Sequence, residues 1–84
     1  MIYSLIIKPR ALKELDSLSP PDRDRIALKI NALRDDLSGD IKQLRNFQPR
    51  FRLRVGVHRV LFDVSDTTIV VYRVLHRSKA YEGN

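Results

Sequence analysis

The sequence contains no cysteine and no tryptophan, and only three of its 84 residues are glycine. Without cysteine the chain forms no disulfide and no thiolate zinc site, which suits a reducing compartment. Its longest apolar runs are far too short to cross a bilayer as a helix. The first residues, MIYSLIIK, lack the basic region and cleavage site of a signal peptide. We therefore expect a soluble, cytoplasmic protein that does not associate with membranes.

The chain also lacks repeats, low-complexity segments and any linker-like stretch. Hydrophobic residues make up 43% of the composition and charged residues 31%, a balance typical of a globular protein. This length and composition predict a single domain spanning residues 1–84.

Positive charge is concentrated in the second half of the sequence. Residues 1–41 hold seven Lys or Arg and seven Asp or Glu, whereas residues 42–79 hold nine Lys or Arg against two Asp. Most of the cations are arginine, whose planar guanidinium suits phosphate and base stacking better than the ammonium of lysine does. The asymmetry indicates an anionic partner for the second half. The alternative is a basic surface that serves only solubility.

Hydrophobic spacing predicts a strand and two helices in the first half. Residues Ile2–Lys8 alternate as a strand that is mostly apolar on both faces, so we expect it to be well covered. A first helix of two to three turns begins at Pro9, because proline is tolerated in a first turn. A second amphipathic helix runs from about Pro21 to Leu37, with Gly39 near the position that follows its last turn.

The residue pattern in the second half of the sequence predicts strands. Residues Ile41–Asn46 form a connector or the start of a strand, and full strands follow at Arg50–Val55, Arg59–Val64 and Ile69–Leu75. A short hairpin turn at Ser65–Thr67 separates the last two strands. The sequence therefore predicts an α+β domain of order β-α-α-β-β-β. A helix hairpin would pack on one face of a small, largely antiparallel, four-stranded sheet.

The strand at Arg50–Val55 alternates arginine with apolar residues. Because a strand has a side-chain period of two, Arg50, Arg52 and Arg54 share one face, and Arg59 on the next strand joins them. Neighbouring like charges on a sheet repel one another, so an anion such as RNA phosphate would stabilise this face. Alternatively, Asp63, Asp66 and the C-terminal carboxylate pair with these arginines.

The sequence offers few groups for catalysis. It has no carboxylate pair, metal-ligand cluster, glycine-rich phosphate loop or activated serine motif, so we expect no metal and no cofactor. Cleavage of RNA by its own 2′-OH needs orientation, charge stabilisation and transfer of two protons. Arginine supplies the charge but holds its proton at any working pH. His76 and Tyr81 are therefore the candidates for proton transfer, with a purely structural role for His76 as the alternative.

Three segments together resemble a known family. They are KPRALKELDSL near the start, RLRVGVHRVLF at residues 52–62, and HRSKAY at residues 76–81. In this pattern the chain is similar to the RelE/ParE superfamily of bacterial toxins, and more similar to its RelE branch. The resemblance extends over essentially the whole chain, and the fold of that family has the element order derived above.

The resemblance implies a toxin of a type II toxin–antitoxin module. RelE-type toxins cut messenger RNA in the ribosomal A site by 2′-OH attack without a metal, and a cognate antitoxin that wraps the toxin neutralises them. The expected partners are thus the ribosome, messenger RNA and an acidic antitoxin that folds on binding, forming a hetero-oligomer with the toxin.

The resemblance also implies roles for individual residues. Arg54, Arg59 and Arg77 would stabilise phosphate and transition-state charge, and Tyr81 would stack on a base or transfer a proton. Together with the residues proposed above, the predicted catalytic set is Arg54, Arg59, Arg77, Tyr81 and His76, and the predicted RNA-binding set is Arg50, Arg52, Arg73 and Lys79.

One feature departs from the family pattern. Some members carry lysines on the arginine strand, one of them proposed as the general base, where this chain has Arg52 and Arg54. The replacement keeps the positive charge of the strand. It either moves the role of general base to another group or reduces the activity. Two other functions stay open: a ParE-like poison of DNA gyrase, which shares the fold, and a non-catalytic antitoxin-binding module.

Overall fold

The computed structural model describes residues 1–81 of the chain. The first half forms strand β1 (Ser4–Ile7), helix α1 (Pro9–Asp16) and helix α2 (Pro20–Ala32). Both helices begin with proline at the first position, where the missing N–H costs no hydrogen bond. Neither helix is long and apolar enough to cross a membrane, and this holds for every helix within residues 1–81.

The second half supplies four more strands. They are β2 (Ile41–Gln43), β3 (Phe51–Val55), β4 (His58–Ser65) and β5 (Thr68–His76). The sheet order is β1-β5-β4-β3-β2, with β1 parallel to β5 and the other neighbours antiparallel. The predicted α+β architecture is confirmed, but the sheet has five strands instead of four, because three residues of the 41–46 segment pair with β3.

The hydrophobic core lies between the helices and one face of the sheet. α1 packs on β5 and α2 approaches β3. Ile26, Ile30 and Leu33 from the second helix and its end meet Leu53 and Phe62 from the strands, and all five are at most 1% exposed. Since alternate residues of a strand point to opposite faces, the neighbours of the buried strand residues lie on the face away from the helices.

Two expectations about the first half need correction. The second helix ends at Ala32, not near Leu37, because Asp36 and Leu37 adopt left-handed backbone angles (φ 56° and 57°) that a helix does not accept. Strand β1 is not covered on both sides: it lies at the sheet edge, and Ile6 is 49% exposed.

A β-bulge interrupts the pairing of the two longest strands. The register of β4 and β5 shifts between Leu61 and Phe62, so that Leu61 lies opposite Arg73 and Phe62 opposite Val71. Tyr72 is the additional residue of β5. The shift changes the face parity along β5, which strict alternation in the sequence does not reveal.

Candidate nucleic-acid interface

The sheet face opposite the helices carries a row of cations. In the register, Lys42 of β2 lies opposite Arg52 of β3, and Arg54 of β3 lies opposite Arg59 of β4. Directly opposed residues of an antiparallel pair share one face. Because Leu53 is buried against the helices, its neighbours on β3 face the other way. The alternation predicted for this strand is therefore present in the fold.

These side chains line an open cleft with a volume of about 720 Å³. Among the residues that the structure describes, six of those lining the cleft are cationic and none is acidic; the lining consists of Lys42, Leu44, Arg45, Asn46, Phe47, Arg52, Arg54, Arg59, Arg77 and Tyr81. Like charges at this density repel, so a bound anion stabilises the arrangement. We call this surface the basic cleft.

Two of the arginines are fixed by backbone carbonyl groups. One Nη of Arg59 donates to the carbonyl oxygens of Gly56 and His58, each at 2.9 Å. One Nη of Arg52 donates to the carbonyl of Asp40 at 3.0 Å and lies 3.4 Å from the Asp40 carboxylate. The Arg52 side chain is only 15% exposed. Both guanidinium groups are thus held in place and retain further N–H donors for a ligand.

Two aromatic rings form one side of the basic cleft. Phe47 and Tyr81 meet edge to face with ring centroids 5.6 Å apart. Tyr81 is 47% exposed, so part of the residue is accessible to a ligand. Aromatic rings beside a cationic groove are the usual platform for stacking unpaired bases.

The structure gathers five of the nine predicted site residues in this cleft. They are Arg52, Arg54, Arg59, Arg77 and Tyr81. The other four, Arg50, Arg73, His76 and Lys79, do not line it. Arg77 is brought into place by its backbone N–H, which donates to the Val57 carbonyl at 2.7 Å and so ties the chain end to the β3–β4 turn.

Arg50 and Arg73 are engaged with carboxylates instead. Nε of Arg50 donates to Asp63 at 2.8 Å, so the expected pairing of Asp63 applies to this one arginine. Arg73 binds Glu14 of α1 through Nε and Nη, at 2.8 to 3.2 Å. Glu14 also accepts the Val74 N–H at 2.9 Å, beyond the last residue of β5 that pairs with β1. Arg73 thus joins a helix to the sheet.

The two histidines lie outside the basic cleft. Nδ1 of His76 is 2.9 Å from the Ser78 hydroxyl. His58 is 7% exposed, its Nδ1 has no hydrogen-bond partner within residues 1–81, and its ring meets that of His76 edge to face at 6.0 Å.

Within the cleft lining, only the Tyr81 phenol and the Lys42 ammonium can exchange a proton more readily than a guanidinium. The C-terminal carboxylate, which the alternative interpretation pairs with the arginines, lies outside the described residues.

Sequence reasoning missed the other five residues of the lining: Lys42, Leu44, Arg45, Asn46 and Phe47. They belong to one stretch, KQLRNF, whose cations and aromatic ring were a signal of their own. The stretch reaches the cleft because β2 pairs with β3 and brings residues 41–43 beside residues 51–53. That pairing is not visible in a three-residue strand before the fold is known.

Comparison with known proteins gives one family match. The family model described as "ParE toxin of type II toxin-antitoxin system, parDE" matches residues 5–81. The match covers nearly the whole chain, including the residues that line the basic cleft.

Individual relatives carry the name of the other branch. The chain is 34% identical over 76 residues to Toxin RelE3 of Methanocaldococcus jannaschii, covering 84% of this chain and 86% of that protein. It is 30% identical to a chain of the RelB-RelE antitoxin-toxin complex of Methanococcus jannaschii, with a TM-score of 0.72 and coverage of 87% and 91%. It is 28% identical to a chain of the RelBE2 toxin-antitoxin complex of Mycobacterium tuberculosis, with a TM-score of 0.75 and coverage of 92% of this chain and 100% of that chain.

Proposed function

The chain belongs to the RelE/ParE superfamily of toxins of type II toxin–antitoxin systems, and from this premise we propose that it is a RelE-like endoribonuclease. It would cut messenger RNA on the ribosome and so inhibit translation. The observation that carries the proposal is the basic cleft, in which six cations and two aromatic rings converge, with no acidic residue among the lining residues within 1–81.

The proposed reaction is attack of a ribose 2′-OH on the adjacent phosphate. The attack builds negative charge on the phosphorane oxygens, and the departing 5′-oxygen takes up a proton. Arg59 and Arg54 lie opposite each other on neighbouring strands, and Arg77 lines the same cleft. Three guanidinium groups around one phosphate stabilise the developing charge without a large reorganisation. Arg52 would hold a flanking phosphate.

Proton transfer requires a different group, because the arginines keep their protons. Tyr81 carries a phenol, is 47% exposed and lines the cleft. Lys42, opposite Arg52 on β2, is the one lysine of the lining. We propose that these two residues share the tasks of base and acid. Lys42 would then stand in for the lysine that some relatives carry on the arginine strand.

A cognate antitoxin is the proposed physiological partner. Two of the matched structures are described as antitoxin–toxin complexes. A partner for a chain of net charge +6 is expected to be acidic and to cover the basic cleft, ordering as it binds. At a free antitoxin concentration of 100 times Kd, binding adds about 2.7 kcal/mol to the stability of the toxin. A melting temperature that the product of the neighbouring gene leaves unchanged would contradict this partner.

The second candidate function is a ParE-like gyrase poison. It is favoured by the description of the family model, which names ParE, whereas the individual relatives are named RelE. The cleft chemistry favours the ribonuclease, because phosphate-binding arginines beside stackable aromatic rings suit single-stranded RNA. A chain without either activity that only binds an antitoxin is the third possibility.

Primer extension on a messenger translated in a cell-free extract tests the proposal. The wild-type chain is compared with Arg59→Ala and Arg77→Ala, with Arg10→Ala as the control because Arg10 is an exposed arginine on α1 outside the cleft. We expect new 5′ ends in register with codons, dependent on active ribosomes and lost only in the two cleft variants. Intact message with unaffected translation would reject the ribonuclease, and a gyrase supercoiling assay would then separate the other two functions.

A further inference from the structure

The loop between β2 and β3 is held in one conformation at both its base and its tip. At the base, the Leu44 N–H donates to the Arg50 carbonyl at 2.7 Å. The Asp63 carboxylate accepts both the backbone N–H and Nε of Arg50, at 3.0 and 2.8 Å. At the tip, Phe47 rests against Tyr81. The loop is therefore preorganised, and little further ordering is needed when a ligand binds.

This loop forms a second cleft of about 620 Å³. It shares residues 44–47 with the basic cleft, so the two are continuous. Its chemistry is different. Three of its lining residues carry side-chain amides, Gln43, Asn46 and Gln48, and one of its two cations, Arg50, is bonded to Asp63. We call it the amide cleft.

The three amides are available to a ligand. All three residues are exposed, and within residues 1–81 none of their side chains makes a hydrogen bond. A carboxamide offers a donor and an acceptor side by side, the arrangement that pairs with the edge of a nucleobase. Phosphate, which only accepts, prefers the basic cleft, because more cations line it than line the amide cleft.

We propose that the amide cleft binds one unpaired nucleobase of an RNA strand whose phosphate lies in the basic cleft, and that Gln43, Asn46 and Gln48 determine which base it accepts. This inference rests on the proposed function, since it assigns the base selectivity of the same RNA site. Phe47 lines both clefts and so contacts both the phosphate-binding part and the base-reading part. Arg50 acts here as a positioning residue that holds the loop.

Binding of uncleavable RNA tests the proposal. The probes are four fluorescein-labelled 2′-O-methyl hexanucleotides, oligo-A, oligo-C, oligo-G and oligo-U, titrated with the wild-type chain and followed by fluorescence anisotropy. We expect the preferred base to bind about 10-fold more tightly than the least preferred one. The variant Gln43→Leu/Asn46→Gly/Gln48→Leu should bind all four within about 2-fold of one another, because the phosphate contacts remain. Glycine is used at position 46 because the backbone there is left-handed (φ 51°).

Two control variants make the result specific. Asn31→Ala removes an exposed amide on α2 and should leave the base preference unchanged. Arg52→Gln should weaken binding of all four probes alike, since it removes a phosphate contact. A wild-type chain that binds the four probes equally, or binds none of them, overturns the proposal, as does a triple variant that keeps the preference.

The same chains in the translation extract separate this inference from the proposed function. Base discrimination by the wild-type chain with an intact messenger would reject the ribonuclease and keep the amide cleft. Cleavage of the messenger together with equal binding of the four probes would reject the amide cleft and keep the ribonuclease.

Discussion

Arg59 is held by the turn that precedes its own strand. Its guanidinium donates to the carbonyls of Gly56 and His58, so its remaining N–H groups point in a direction set by the backbone. A lysine at this position would keep the charge but could not make the same pair of hydrogen bonds while also binding a phosphate in a fixed geometry.

For this reason Arg59→Lys should lower RNA cleavage by about 10- to 100-fold, although the charge of the cleft is unchanged. The rate is measured by primer extension in a translating extract. Arg10→Lys, the same replacement on the exposed face of α1, should cut at the wild-type rate. Equal activity of Arg59→Lys and the wild-type chain would show that only charge, not geometry, matters at this position.

Tyr81 has two separable properties, a ring that contacts Phe47 and a hydroxyl at the edge of the basic cleft. Tyr81→Phe keeps the ring and removes only the hydroxyl. If the phenol transfers a proton, cleavage should fall by about 100-fold while RNA binding by anisotropy stays within about 2-fold. Tyr72→Phe is the matched control, because Tyr72 is exposed and lies outside this cleft. Full activity of Tyr81→Phe would assign the ring to stacking alone and leave Lys42 as the proton-transfer residue.

At the level of the elements, α1 is joined to the sheet by one ion pair of low exposure. The side chains of Glu14 and Arg73 are 21% and 28% exposed, and the carboxylate also satisfies the N–H of Val74. These contacts span some sixty residues of sequence, so they stabilise the docking of the helix on β5 and not a local turn.

Glu14→Ala should therefore lower the free energy of unfolding by about 2 kcal/mol, because it leaves a partly buried guanidinium and a backbone N–H without a partner. In a domain of this size that corresponds to a decrease of roughly 10 °C in Tm. Arg25→Ala breaks the exposed pair with Asp22 and should cost less than about 1 kcal/mol. Urea denaturation measures both values. Similar losses in the two variants would mean that the Glu14 contact is no stronger than a surface pair.

The predictions made from sequence succeeded where local alternation decides the structure. Arg52 and Arg54 share a face because each sits between apolar residues of β3, a pattern that is visible in the chain itself, and Arg59 lies opposite Arg54 on β4. Contacts between distant residues were not visible. The binding of Arg73 depends on Glu14, and the parity of β5 depends on the bulge at Leu61.

The remaining errors have equally specific causes. The second helix was extended too far because Leu33 and Leu37 keep the apolar period, whereas the backbone turns left-handed at Asp36 and Leu37. The amides and Phe47 of the β2–β3 loop were missed because a three-residue strand carries little periodicity.

At the scale of the whole molecule, the two halves of the sequence, which differ in net charge, form different parts of the fold. The neutral half supplies the helices and β1, and the basic half supplies the four strands and the loop that form both clefts. The excess of positive charge thus lies in the half that forms the clefts. Such a distribution attracts a polyanion from a distance and orients it before contact.

The salt dependence of RNA binding measures how many of these cations contact phosphate. If about four of the six contact a single strand, the affinity should fall on the order of 50-fold between 50 and 200 mM salt. Arg52→Gln should reduce the slope of log K against log salt by about 0.7, because one contact is lost. Arg10→Gln removes the same charge outside the clefts and should leave the slope unchanged, which separates a specific contact from a change in net charge.

Anisotropy titrations at several salt concentrations give all three slopes. An affinity that does not respond to salt would exclude the basic cleft as the phosphate-binding surface. Equal slopes for the two variants would instead mean that RNA is attracted by the net charge of the protein and is not bound by Arg52.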